Sequence, residues 1–209
     1  MSTSLIQRFW DVFRREGLRS CWARCMGACG YKRLYLLSRS LHEPLPETRA
    51  KIPVHMDWLR PEDEADYEAL LTTARDWPLT RRQGAGNRCL TARVDGRLVS
   101  VMWACMGKAA RIDYLAQDLP LAAHEAYLCG AYTEPAFRGH GIAPAMSVEL
   151  LRRLREEGIT RAIRATWPEN TAALRAHAKA GFQPFALMGR VQIGRWGRSF
   201  TRPAGPANA

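Results

Sequence analysis

Arg138-Gly139-His140-Gly141-Ile142-Ala143 stands between two segments of different period, and that change of period decides how the chain is read. Before it, the apolar run from Ala126 to Thr133 has the make-up of a strand and is closed by Glu134-Pro135. After it, Met146, Leu150 and Leu154 recur every four residues, one face of a helix over 143–157 that stops at Gly158. Glycines permit a tight turn and a close approach of backbone to ligand. The first N–H groups of a helix have no partner inside it. Together they make a cradle for an anion such as a pyrophosphate. Taken alone, a Gly-x-Gly is as readily a plain strand-to-helix turn.

It is not alone. Trp167-Pro168-Glu169-Asn170 leads into Thr171-Ala172-Ala173-Leu174-Arg175-Ala176-His177-Ala178-Lys179-Ala180-Gly181-Phe182. Asn170 suits the N-cap of a helix over this run and Gly181 suits the position just past its end. With both motifs in view, the chain resembles the GCN5-related N-acetyltransferase (GNAT) superfamily. That family carries Arg/Gln-x-x-Gly-x-Gly/Ala after its fourth strand, then Asn with Gly-Phe about a dozen residues later. Arg138, Gly141 and Ala143 fill the first pattern; Asn170, Gly181 and Phe182 fill the second. The resemblance covers roughly residues 52–195.

The rest of the chain is consistent with one such domain carrying additions. Apolar residues make up 47% and charged residues 24%, the balance of a globular chain that buries a core. No apolar run approaches the ~20 residues of a membrane span, and Met1-Ser2-Thr3-Ser4 does not open a secretory signal. A cytoplasmic location is the expectation. The net charge of +11 is uneven: residues 1–40 carry +6, residues 189–209 carry +4, and 41–188 hold 19 basic against 18 acidic side chains. Basicity therefore belongs to the flanks.

Residues 1–50 read as a basic, amphipathic extension and linker, 51–200 as the acyltransferase domain and 201–209 as a disordered tail. A helix is expected over residues 5–16, where Leu5, Ile6, Phe9, Trp10 and Phe13 share one face. A second short helix is expected over about 20–29, where Cys21, Cys25 and Cys29 align as a thiol stripe; a strand is expected over Tyr31 to Leu37. The extension packs on the domain or on a second subunit as a homodimer, or lies on anionic lipid. His42 to Pro53 reads as linker. A strand over Val54 to Leu59, a helix over Pro61 to Thr73, a mobile loop over 80–88 and a hairpin about Asp95-Gly96 come next. Further strands are expected near Ala110 to Leu115, Glu125 to Thr133 and Ile159 to Trp167, with one or two over 182–196. The expected class is α/β (α+β): a mixed, mostly antiparallel sheet flanked by helices on both faces, with an N-terminal helical extension.

The resemblance implies acetyl-CoA, or a related acyl-CoA, as co-substrate and no metal. Its pyrophosphate would lie on the backbone of Arg138, Gly139, His140, Gly141, Ile142 and Ala143, and its pantetheine beside Ala131, Tyr132 and Thr133. Asn170 is a cofactor contact, a helix cap, or both. In the family the central strand splays from its neighbour, so that exposed N–H groups polarise the thioester carbonyl. Glu125 begins that strand and is the leading general base; burial could raise a carboxylate into the useful range. Its ordinary alternative is a strand-edge ion pair, and Glu134, Asp113 and His124 compete with it. Many family members have Tyr seven residues after the motif Asn to protonate the thiolate. Here that position is His177; histidine as a residue type suits the same purpose, with Tyr132 or Tyr127 as substitutes. The implied activity is transfer of acetyl to the primary amine of a small molecule, such as an amino sugar or amino acid, by direct attack. One alternative is long-chain acyl transfer from acyl-CoA or an acyl carrier protein that meets the basic N-terminal extension. The other is an inactive GNAT-fold adaptor at a membrane surface. No specific nucleic-acid motif is present.

Overall fold

The computed structural model describes residue 27 and residues 30–71 and 86–204. The helices expected over 5–16 and 20–29 lie outside these residues apart from Gly27, as does most of the 80–88 loop with Arg81 and Arg82. The described chain divides into two compact units. One holds residues 39–71, 86–111 and 118–164; the other holds 27, 30–38, 112–117 and 165–204.

The first unit is a twisted sheet with helices on both faces. Its strands are β2 (His55–Trp58), β3 (Arg88–Val94), β4 (Arg97–Cys105), β7 (Glu125–Thr133) and β8 (Arg161–Thr166), side by side in the order β8-β7-β4-β3-β2. All neighbours are antiparallel except β7 and β8. β3 and β4 are joined by Asp95 and Gly96 at φ 48° and 79°, the two positive values a I′ hairpin requires. Alternation sends odd and even residues of β4 to opposite faces. On one face, Trp103 donates from Nε1 to the Tyr67 hydroxyl at 3.0 Å, from α1 (Glu64–Leu71), and Cys89, Leu70, Leu71 and Val101 join that cluster. On the other, α2 (Ile142–Glu156) packs Met146, Leu150 and Leu154, all fully buried, against β3, β4 and β7. The four-residue spacing read from the sequence is therefore the buried stripe of this helix.

The expected strand near Ala110 to Leu115 is shorter and has a partner that periodicity did not reveal. β5 (Ala109–Ile112) gives way to a 3₁₀ turn at Asp113–Leu115, closed by Ala116 N–H to the Asp113 carbonyl at 3.0 Å with Ala116 left-handed at φ 51°. β6 (Gln117–Pro120) then returns beside β5 as a two-stranded ribbon. The turn carries no glycine, so composition gave no warning of it.

The second unit contains β1 (Tyr31–Ser40), α3 (Thr171–Lys179), β9 (Gln183–Ile193) and β10 (Trp196–Pro203). β9 lies antiparallel between β1 and β10. β1 comes from the stretch read as extension, and β10 continues three residues past the expected end of the domain at 200. The fold class is the one expected: mixed α+β with mostly antiparallel pairing. No helix of the described residues is long and apolar enough to cross a membrane.

Candidate functional site

Two irregularities of β7 shape the first unit's surface. The β4–β7 register runs Trp103↔Cys129 and then Val101↔Tyr132, so Gly130 and Ala131 together oppose Met102. Gly130 has φ +60°. This is a β-bulge with glycine in the left-handed position, which bends the strand and re-aims the residues beyond it. On the opposite edge, pairing with β8 ends at Tyr127↔Ile163 although β7 runs on to Thr133. β7 therefore parts from its parallel neighbour over its last six residues, Leu128 to Thr133. Ser100 holds the departing end: its hydroxyl donates to the Tyr132 carbonyl at 2.7 Å and lies 2.8 Å from Thr133 Oγ1. A glycine inside a strand-like run was the signal for the bulge.

Beyond β7, Pro135–Phe137 forms a short 3₁₀ turn and the chain enters the glycine segment. Gly139 and Gly141 have φ 83° and 74°, values a side chain resists. Gly141 is the N-cap of α2 and offers no side-chain cap. The N–H groups of Gly139, His140, Gly141, Ile142 and Ala143 donate to no group among the described residues. A run of N–H groups without acceptors at a helix N-terminus, in a partly exposed turn, is an arrangement that suits an anion. It fits a pyrophosphate.

The backing of this turn was not legible in the sequence. Residues 49–51, read as linker, run against it: Lys51 N–H donates to the His140 carbonyl at 2.8 Å. A Cβ on Gly141 would stand 3.5 Å from the Arg49 carbonyl oxygen. Arg49 and Lys51 are exposed and add positive charge beside the turn. Arg138 is exposed as well; its Nε donates to the Thr133 carbonyl at 3.0 Å and its guanidinium lies 5.9 Å from the Tyr132 ring centroid. Tyr132 itself is half-buried against the α1-side cluster.

The carboxylates divide by how their oxygens are occupied. Glu125 is buried, with Oε1 2.6 Å from Arg161 Nη1 and Oε2 accepting the Ala122 N–H at 2.9 Å. Both oxygens serve the start of β7. Glu134 closes β7 and pairs through Oε1 with Arg97 at 2.5 Å. Its buried Oε2 has no hydrogen-bond partner among the described residues. His124 is exposed, and its carbonyl accepts from Thr160 and Arg161. On β8, Arg164 lies half-buried next to where β7 departs; Nη2 donates to Ser147 Oγ at 2.6 Å and meets Met102 Sδ at 3.6 Å. Burial pushes its guanidinium down to about 10.

The second motif belongs to the other unit, and Asp113 falls there too. Asn170 caps α3, its Oδ1 accepting the Ala173 N–H at 3.0 Å. Glu169, beside it, accepts from Arg33 Nη2 at 2.6 Å. Burial opposes the charge on Arg33, yet the Glu169 carboxylate and then Tyr31 hold its guanidinium above the usual basicity. Gly181 has φ 79° and ends the helix as its position promised. His177 is half-buried, 6.0 Å from the Phe182 ring, and its carbonyl accepts the Phe182 N–H at 2.9 Å. The motif Phe is thus core, at 0% exposure.

Comparison with known proteins agrees with this geometry. The model of the acetyltransferase (GNAT) family matches residues 52–182, which include the bulged strand, the glycine turn and the second motif. No curated protein matches the chain. Among solved structures, a GNAT-family protein from Novosphingobium aromaticivorans DSM 12444 is similar at 20% identity and TM-score 0.56, over 77% of this chain and 65% of that one. A GCN5-related N-acetyltransferase from Sphaerobacter thermophilus is similar at 17% identity and TM-score 0.55, over 80% and 54%. A GCN5-related glucosamine N-acetyltransferase region of a fungal multi-domain β-N-acetylglucosaminidase gives 13% identity and TM-score 0.54, over 82% and 22%. The chain thus spans less than two thirds of these proteins' lengths, and the likeness is one of fold. With the family model matching well over half its residues, the chain belongs to the GNAT acetyltransferase family.

Proposed function

We propose that the protein transfers an acetyl group from acetyl-CoA to the primary amine of a small molecule. The observation that carries this reading is the set of five open N–H groups from Gly139 to Ala143, directly after a strand that parts from its parallel neighbour. When bound, acetyl-CoA supplies an activated acyl carbon and a thiolate leaving group.

The chain's own residues do the rest. The turn from Arg138 to Ala143 holds the pyrophosphate, with Arg138 and Lys51 adding charge. The end of β7 that has parted from β8, Ala131 to Thr133, orients the pantetheine and aims backbone donors at the thioester oxygen. Such a donor is worth about 3 kcal/mol when charge develops on that oxygen. The amine attacks the acyl carbon as a free base, the carbon–sulfur bond breaks, and no protein nucleophile is needed. Glu134, whose buried Oε2 has no hydrogen-bond partner among the described residues, is the proposed proton acceptor in place of Glu125, whose two oxygens are engaged. We assign Glu125 the role of fixing the start of β7. His177 is the proposed proton source for the thiolate, and Asn170 a contact of the cofactor as well as a cap. The small-molecule amine and a cytoplasmic location are carried as parts of the same reading.

Isothermal titration with acetyl-CoA, free CoA and palmitoyl-CoA tests the donor. Chromatographic detection of CoA release against amino sugars and amino acids tests the acceptor. Micromolar binding of acetyl-CoA with CoA release is the expected result. Preference for palmitoyl-CoA would redirect the reading to long acyl chains, and no binding would reject it.

A further inference from the structure

Among the described residues, two cysteines lie almost within bonding distance. Cys105 Sγ and Cys129 Sγ are 3.4 Å apart, on the adjacent antiparallel strands β4 and β7. The register explains the approach: Cys129 opposes Trp103 and Cys105 opposes Tyr127, so the two side chains sit on one face at diagonal positions. Both are half-buried, open enough for a small oxidant. The remaining described cysteine, Cys89, is buried, its thiol 3.8 Å from the Leu90 carbonyl. A disulfide bond is about 2.05 Å long, so the sulfurs must approach by little more than 1 Å, which takes a rotamer change together with a closing of the two strands. Cys129 also directly precedes Gly130, the left-handed residue of the bulge.

We propose that Cys105 and Cys129 are an oxidative modification site, converted by peroxide into a reversible disulfide that alters the bulge of β7. One thiol ionises and its thiolate attacks the peroxide oxygen; the sulfur–oxygen bond forms, the oxygen–oxygen bond breaks, and the leaving hydroxide takes up the thiol's proton as water. The second thiol ionises in turn and its thiolate attacks the resulting sulfenic sulfur; the sulfur–sulfur bond forms, the sulfur–oxygen bond breaks, and the leaving hydroxide takes up that proton as a second water. Two thiols and one hydrogen peroxide thus give one disulfide and two waters. A low-molecular-weight thiol returns the pair to the reduced state. The bond draws β4 and β7 together one residue before the bulge. Its effect on acetyl-CoA binding rests on the proposed acetyl transfer.

The full chain is treated with one equivalent of hydrogen peroxide, its remaining thiols are alkylated, and its peptides are read by mass spectrometry. The expected product is a Cys105–Cys129 linked peptide, lighter by two hydrogen atoms than its parts and released by dithiothreitol. In C105S and in C129S the surviving partner stays alkylatable. Both thiols alkylated, or oxidised separately, in the wild-type protein overturns the proposal without recourse to a variant. Titration of the oxidised protein should give acetyl-CoA affinity weaker by on the order of tenfold, recovered with dithiothreitol and insensitive to peroxide in C129S. Unchanged affinity of the cross-linked protein overturns the coupling to the bulge. Failure of the reduced protein to bind acetyl-CoA at all speaks against the proposed function and leaves the peptide result standing.

Discussion

The backbone N–H of Lys51 donates to the His140 carbonyl at 2.8 Å, tying a segment without regular structure to the middle of the glycine turn. That bond points the His140 carbonyl at Lys51, so the N–H of the same trans peptide, on Gly141, points the other way. Lys51→Pro removes the donor while Lys51→Ala keeps it. The proline variant is expected to lose about 1 kcal/mol of stability and more acetyl-CoA affinity than the alanine variant. Equal affinities by titration would show that only the side-chain charge matters.

Gly141 has room behind it but a backbone that only glycine adopts freely, with φ 74° and its nearest neighbour 3.5 Å from a would-be Cβ. Gly141→Ala should cost about 1–2 kcal/mol. Gly141→Glu adds a negative charge to the anion cradle and should weaken acetyl-CoA binding by at least on the order of 100-fold, about 2.7 kcal/mol. Circular dichroism should remain that of a folded chain. Retained affinity in the glutamate variant places the cofactor elsewhere.

Glu125 and Arg161 join the starts of β7 and β8, at 2.6 Å. Glu125→Gln keeps the shape and removes the charge, so the variant should be less stable by roughly 2 kcal/mol, the value of a hydrogen bond to a charged group. Turnover should fall less than about threefold, since a positioning residue leaves the barrier nearly intact. A folded variant with turnover reduced a hundredfold or more would make Glu125 the base after all.

His177 fills a position where many family members carry tyrosine. If it protonates the thiolate, His177→Phe retains the packing against Phe182 and loses the proton, and turnover should fall about tenfold to a hundredfold. His177→Tyr should recover most of it. The pH–rate profile of His177→Tyr should also lose the limb that reports the imidazole. Identical profiles for wild-type and phenylalanine proteins exclude an acid role.

Asp57 on β2 accepts the Trp58 N–H at 2.8 Å and pairs with Arg60 and Arg153. The Trp58 N–H first, and then the arginines, hold its carboxyl below its ordinary value of 3.8 despite some burial. A carboxyl depressed in the folded state contributes stability above its unfolded value and loses it as pH falls through the folded value. Asp57→Asn should therefore be less stable than wild type at pH 7, by about 1 kcal/mol or less for so exposed a group. The gap should close below pH 3.8. Urea melts at several pH values measure it, and a gap that persists in acid assigns the effect to shape instead of charge.

Local chemistry decided much of this protein before any tertiary contact. The helix over Ile142–Glu156 comes from Met146, Leu150 and Leu154 at four-residue spacing, the I′ hairpin from Asp95-Gly96, and the ends of α3 from Asn170 and Gly181. The glycine turn was equally legible, because positive φ is a property of a few consecutive residues. Tertiary structure alone decided the rest. The contact of residues 49–51 with His140, the early end of β7–β8 pairing and the 3.4 Å approach of Cys105 to Cys129 all join residues distant in sequence. So does the pairing of Glu125 Oε1 with Arg161, while Oε2 is taken locally by the Ala122 N–H. Register and partner choice come from packing summed over whole elements, and no spacing along the chain encodes which carboxylate oxygen will be left open.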